Sequence, residues 1–139
     1  MLQERIEGKW LACFRRVFVL NGIGPATRVA IVAETQSRPV LVQLADLACH
    51  DLGADYCMIT MPTPRQTAPV PVKSTGTSLA IQGNRAAIEA MKQCEIIVDC
   101  TVEGMIHAAE WPEIEAAGAR ILVVCNEHPE ILERCEPKA

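Results

Sequence analysis

Aromatic residues are scarce in this chain: Phe, Trp and Tyr make up 4% of its 139 residues, although half of the residues are hydrophobic. A core drawn from that composition is aliphatic, as in parallel sheets sandwiched between helices. A basic excess is missing too. Thirteen basic against seventeen acidic residues leave a net charge of −4, with no long run of either sign. That argues against nucleic acid, whose binders carry a positive footprint, and against an anionic membrane surface. No apolar stretch approaches the roughly 18–20 residues that span a bilayer. The N-terminal MLQERIEGKW is charged throughout and has no apolar signal-peptide segment. The expectation is a cytoplasmic protein of one α/β domain covering residues 1–139.

Paired cysteine motifs are absent. Cys13, Cys49, Cys57, Cys94, Cys100, Cys125 and Cys135 are odd in number, irregularly spaced and without a C-x-x-C. They read as free thiols acting as small hydrophobes, most of them on buried faces. Nucleotide signatures are absent as well. Gly76-Thr77-Ser78 lacks the lysine of a phosphate loop, and Gly22-Ile23-Gly24-Pro25 precedes the first strand instead of following it.

What the sequence does hold is alternation. Arg28–Ala33, Asp55–Met61, Glu95–Cys100 and Arg120–Val124 are short apolar runs separated by helical patterns. The runs beginning at Glu95 and Arg120 are continuously apolar, as strands buried on both faces are. Met1–Leu20, with Leu2, Ile6, Trp10, Cys13, Phe14 and Val17 at spacings of three and four, predicts an amphipathic helix within segment 1–22, ended by Asn21-Gly22. Phe18, Val19 and Leu20 widen its apolar face. Ser37 is placed to cap the next helix and Pro39 to occupy its first turn. Leu41, Leu44, Ala45, Ala48 and Leu52 form the buried stripe, and Gly53 ends it. Asn84 caps a third helix with Ala87, Ile88 and Met91 inward. Trp111-Pro112 opens a fourth and Gly118 closes it, while Pro129 opens a last one with Ile131, Leu132 and Cys135 on one face. Segment 62–82, rich in Pro, Ser and Thr, is a long loop of the kind that is usually functional or disordered.

This order predicts a small doubly wound, Rossmann-like α/β fold: four parallel strands in the order 2-1-3-4 with helices on both faces. Ligands of such sheets bind beyond the carboxyl ends of the strands where the order reverses. Glu34, Thr35 and Ser37 after the first strand, and Asp99 and Thr101 at the end of the third, line that crevice. Glu127 and His128, after the fourth, stand beside it. A metal centre from Asp99, Cys125, Glu127 and His128 is disfavoured, because Cys125 points into the sheet while Glu127 and His128 are placed to cap a helix. Cys49-His50 is not a nucleophile–base pair, since adjacent helical residues diverge by about 100°. His107 has no evident partner. No catalytic residue emerges.

Two stretches, GTSLAIQGNRAAIEAMKQCEIIVDCT and AGARILVVCNEHPEILERCEP, carry a family likeness. With the G-N-x-A-A run at Gly83–Ala87, the strand ending at Asp99 and the H-P-E-I-L-E-R of His128–Arg134, the chain resembles the N-terminal domain of 2,5-dihydroxypyridine 5,6-dioxygenases. It is also similar to the related N-terminal part of the aminopeptidase T type of leucyl metallopeptidases. The resemblance implies a metal-dependent enzyme family whose Fe(II) or other divalent ion sits in a C-terminal domain, so no cofactor is expected in this chain. The partners expected are that metal domain, or a second copy meeting the N-terminal helix and the 62–72 loop. The alternative is a stand-alone module binding a small polar ligand in the crevice.

Overall fold

Alternate side chains of one strand enter two different cores. Strand β1 (Arg28–Glu34) sends Val29, Ile31 and Ala33 into one apolar cluster and Ala30 and Val32 into the other, as the period of two in a strand requires. The computed structural model describes residues 6–64 and 79–124. Around β1 it arranges β2 (Asp55–Met61), β3 (Ile96–Asp99) and β4 (Arg120–Val123) as one sheet in the order β2-β1-β3-β4, every pairing parallel. Helices α1 (Gly8–Leu20) and α2 (Pro39–Asp51) cover the Val29–Ile31 face, and α3 (Arg85–Lys92) and α4 (Trp111–Ala116) cover the other. The fold is the doubly wound α/β sheet expected from the alternation of elements.

The details depart from expectation in physically legible ways. The third strand was expected over Glu95–Cys100 and spans Ile96–Asp99, but ladder bonds continue past both ends: Glu95 N donates to Arg28 O and Cys100 N to Val32 O, each at 2.8 Å. The expectation that β3 and β4 are both buried on two faces holds for β3 only. As an edge strand among the described residues, β4 keeps Ile121 and Leu122 half-buried and Val123 42% exposed. The helix expected from Pro129 lies outside the described residues.

Trp10, Cys13 and Phe14 of α1 are buried as the stripe predicts, while Val17 is half-buried and Ile6 precedes the helix and is exposed. The three residues expected to widen the face separate: Phe18 is fully buried beside Phe14, ring centroids 5.9 Å apart, whereas Val19 and Leu20 are 55% and 67% exposed. The helix ends where Gly22 turns left-handed (φ +88), so that Ile23 N reaches back to Phe18 O at 3.0 Å. In α2, Leu41, Leu44, Ala45 and Ala48 are buried, and Leu52 is half-buried just past the helix end. Asn84 caps α3 as expected, its side chain accepting from Ala87 N at 3.2 Å. Among the described residues, no helix is long and apolar enough to cross a membrane.

Candidate functional site at the carboxyl ends of the strands

Ser37 does not cap α2. The helix begins from Arg38 without a side-chain cap, and Ser37 turns instead toward the sheet. Its hydroxyl accepts a bond from Glu34 N at 2.9 Å and donates one to Cys100 O at 2.7 Å. The backbone bond from Ser37 N to Glu34 O, 2.9 Å, closes the turn that aims it there. A serine placed between two strand ends is thus a strut between β1 and β3, and it serves the sheet more than the helix.

Glu34 and Asp99 complete the same junction. Glu34, 5% exposed, accepts from Val102 N through Oε1 at 2.8 Å. Asp99 is fully buried at the last position of β3. Its Oδ1 accepts from Thr101 N at 3.0 Å and from the Thr101 hydroxyl at 2.5 Å, and its Oδ2 accepts from Met105 N at 2.7 Å. Gly104, at φ +82, supplies the turn that brings the Met105 amide back to the carboxylate. Burial raises the Asp99 carboxyl above its ordinary 3.8; the bonds from Thr101 and Met105 oppose that rise, and the nearby Glu34 adds to it. Four of the expected crevice residues therefore meet in one buried network that pins the loop after β3 to the end of β1. A ligand reaching Asp99 would have to displace a loop hydrogen bond.

Thr35 belongs to a different contact set. It is exposed, and its Oγ1 accepts from Thr63 N at 3.3 Å while Thr63 Oγ1 accepts from Gln36 N at 3.0 Å. Thr63 follows β2 and opens onto a cavity of about 690 Å³ whose walls include Pro62, Pro64, Leu79, Gln82 and Asn84. This cavity lies beyond the end of β2, one strand across from the β1–β3 junction named by the topological rule. Sequence reasoning missed Thr63 and Gln82 as wall residues; the Pro-Thr-Pro directly after a strand was the available signal.

The remaining candidates divide. Glu127 and His128 lie outside the described residues. Cys49 is buried with its thiol pushed up to about 12, chiefly by burial, while the adjacent His50 is exposed. His107 is exposed. Cys13, Cys49 and Cys100 are buried thiols as expected, but Cys57 is exposed and Cys94 half-buried. Among the described residues, no three or more His, Cys, Asp or Glu side chains converge as a metal site.

Residues 9–139 match the family described as NicX, 2,5-dihydroxypyridine 5,6-dioxygenase. The chain belongs to this dioxygenase family. A solved structure, that of the 2,5-dihydroxypyridine dioxygenase from Pseudomonas putida KT2440, superposes with a TM-score of 0.81 at 26% identity over 93% of this chain. The chain spans 37% of the length of that dioxygenase. No curated protein sequence matches. The dioxygenase family, and not the aminopeptidase one, is the kinship these matches show.

Proposed function

We propose that this chain is a non-catalytic α/β domain of a protein that cleaves a dihydroxypyridine ring with oxygen, and that the metal chemistry belongs to a part of such a protein that this chain does not contain. The carrying observation is the combination of the family match over residues 9–139 with the 37% share of the Pseudomonas putida dioxygenase that the chain covers. The described residues do not fit an Fe(II) site, since the carboxylate most deeply placed at the strand ends, Asp99, has both oxygens engaged by Thr101 and Met105. No step of the oxygen chemistry is therefore assigned to a residue here. What the domain contributes is a rigid sheet edge and a set of loops, held by Ser37, Glu34 and Asp99, against which a metal-bearing domain can be positioned. The exposed Val19 and Leu20 at the end of α1 are the apolar residues we assign to such a contact, with a second copy of the chain as the competing occupant.

A second reading rests on the cavity after β2: a polar, partly apolar-walled hollow of about 690 Å³ suits a small ligand held by Thr63 and Gln82. A domain exchange separates the two. Replacing the matching segment of the Pseudomonas putida dioxygenase with this chain should give a folded protein that still consumes 2,5-dihydroxypyridine. A folded chimera without turnover, together with saturable binding of a small aromatic by this chain alone, would favour the binding module.

A further inference from the structure

The outer edge of β2 is an open hydrogen-bonding ladder with fixed ends. β2 forms one margin of the sheet, and among the described residues no strand pairs with its far side. Asp55 N donates to Thr27 O at 2.9 Å and Met61 O accepts from Thr35 N at 3.0 Å, so the backbone groups of these two residues face the β1 side. Parity along the strand gives Cys57 and Ile59 the same direction and turns the N–H and C=O groups of Tyr56, Met58 and Thr60 outward. The ladder stops at both ends. Upstream, the amide of Ala54 is taken by Cys49 O at 3.1 Å; downstream, Pro62 has no N–H to offer. Native sheets blunt such margins with short strands, bulges, lysine or proline. Over Asp55–Met61, β2 has none of these: it runs seven residues in unbroken register with β1, and its one charge is Asp55. Cys57, Met58 and Thr60 are exposed there, Met58 by 44%.

We propose that this edge pairs with the β2 edge of a second copy of the chain, antiparallel about a two-fold axis through Met58, so that the two sheets join into one. The outward residues are themselves symmetric about Met58. In that register Met58 exchanges both its bonds with Met58 of the second copy, and Tyr56 exchanges both with Thr60 of the second copy, so every outward N–H and C=O between the ladder ends is satisfied. Sliding the copies by two residues sets Thr60 against Ala54, or Tyr56 against Pro62, and loses bonds. The side chains agree with the register. Met58 shares strand parity with Tyr56, which packs on the α2 side, so the two exposed methionines meet on that face. Cys57 shares parity with Ile59 and Met61, so it faces Ile59 of the second copy on the α3 side. The two Asp55 carboxylates fall at opposite ends of the ladder, roughly 20 Å apart at about 3.3 Å per residue, which exceeds the Debye length at physiological salt. Val19 and Leu20 take no part in this contact.

Sedimentation of this chain at micromolar concentration tests the pairing, and hydrogen exchange at Tyr56, Met58 and Thr60 supplies a readout that needs no variant. The expected result is a dimer whose three outward amides exchange about tenfold more slowly than in diluted, monomeric protein. Met58→Lys and Met58→Glu each set two like charges directly opposite one another, and each should give a monomer. Mixing the two variants should restore a dimer, because unlike charges then face each other across the axis. Leu20→Lys, at the end of α1, should leave the dimer intact. Met58 is exposed and belongs to neither apolar core, so the variants keep their fold, which circular dichroism checks. The proposal is overturned by a wild-type chain that stays monomeric, by outward amides that exchange equally fast in both states, by a dimer that survives Met58→Lys, or by a mixture of the two folded variants that stays monomeric.

Discussion

The Ser37 hydroxyl donates to the carbonyl of Cys100 across 63 positions of sequence, joining the turn after β1 to the end of β3 at 2.7 Å. Both groups are buried, and the same hydroxyl also satisfies Glu34 N. Parallel neighbours such as β1 and β3 are connected only by long crossovers, so a polar strut at their ends fixes the relative position of two otherwise independent loops.

Ser37→Ala leaves the Glu34 amide and the Cys100 carbonyl without this partner in a buried place. The expected cost is about 3 kcal/mol, from two buried groups at roughly 1–3 kcal/mol each. Urea unfolding checks it, and a loss below about 0.5 kcal/mol, the range of a neutral surface change, would refute the strut.

Asp99 predicts a pH dependence with a defined sign. Because burial raises its folded pKa above 3.8, the folded protein holds this proton more tightly than the unfolded chain does. Its contribution to stability is fully present below 3.8 and is lost as pH rises through the folded value. Asp99→Asn does not titrate, so the stability of wild type relative to this variant should fall as pH increases over that window. Paired unfolding curves across acidic to neutral pH measure it; a difference that grows with pH contradicts the assignment.

Glu113 predicts the opposite sign. It binds Arg85 through both oxygens, at 3.0 and 2.7 Å, and Lys92 at 2.8 Å, tying α4 to α3. The hydrogen bonds from Arg85, then those from Lys92, hold its carboxyl down to about 2. Its stabilisation is present above 4.5 and is lost as pH falls toward 2. The ions are exposed, so salt should shrink the effect. A carboxyl-carbon NMR titration of Glu113 reads the value directly, and a midpoint at the ordinary 4.5 would show that the bridge does not persist in solution.

Phe18→Ala tests how α1 docks. The ring is fully buried at the end of the helix against Phe14. Its removal should cost about 4 kcal/mol, the usual range for a buried phenylalanine, whereas Leu20→Ala, at an exposed position, should change stability by less than about 0.5 kcal/mol. Equal effects in thermal unfolding would contradict the inward placement of Phe18.

The architecture was legible because it is written in local pattern. The aliphatic runs, Pro39 and Pro112 in first turns, Asn84 before α3 and the glycines after α1 and α2 each act within a few residues of themselves. Ser37 was misread for the complementary reason. A serine two residues before a helical proline has the local signature of a cap, but its partner is a carbonyl at Cys100, and nothing near Ser37 announces it. Phe18 was grouped with Val19 and Leu20 because all three are apolar, while the helical turn places only Phe18 toward the sheet. The site was half legible. Strand order located Glu34, Ser37, Asp99 and Thr101 together, but whether such groups face a ligand or one another depends on loop hydrogen bonds that periodicity does not encode. The cavity after β2 depends on how Pro62–Pro64 and Leu79–Asn84 come together in space.

The proposed division of labour, a positioning domain here and metal chemistry elsewhere, is tested most directly with an oxygen electrode. The purified chain, supplied with Fe(II) and 2,5-dihydroxypyridine, should consume oxygen no faster than Fe(II) and substrate without protein. Oxygen uptake matched by loss of the substrate, and abolished by replacing Asp99 or Glu34, would place catalysis in this domain and contradict the account.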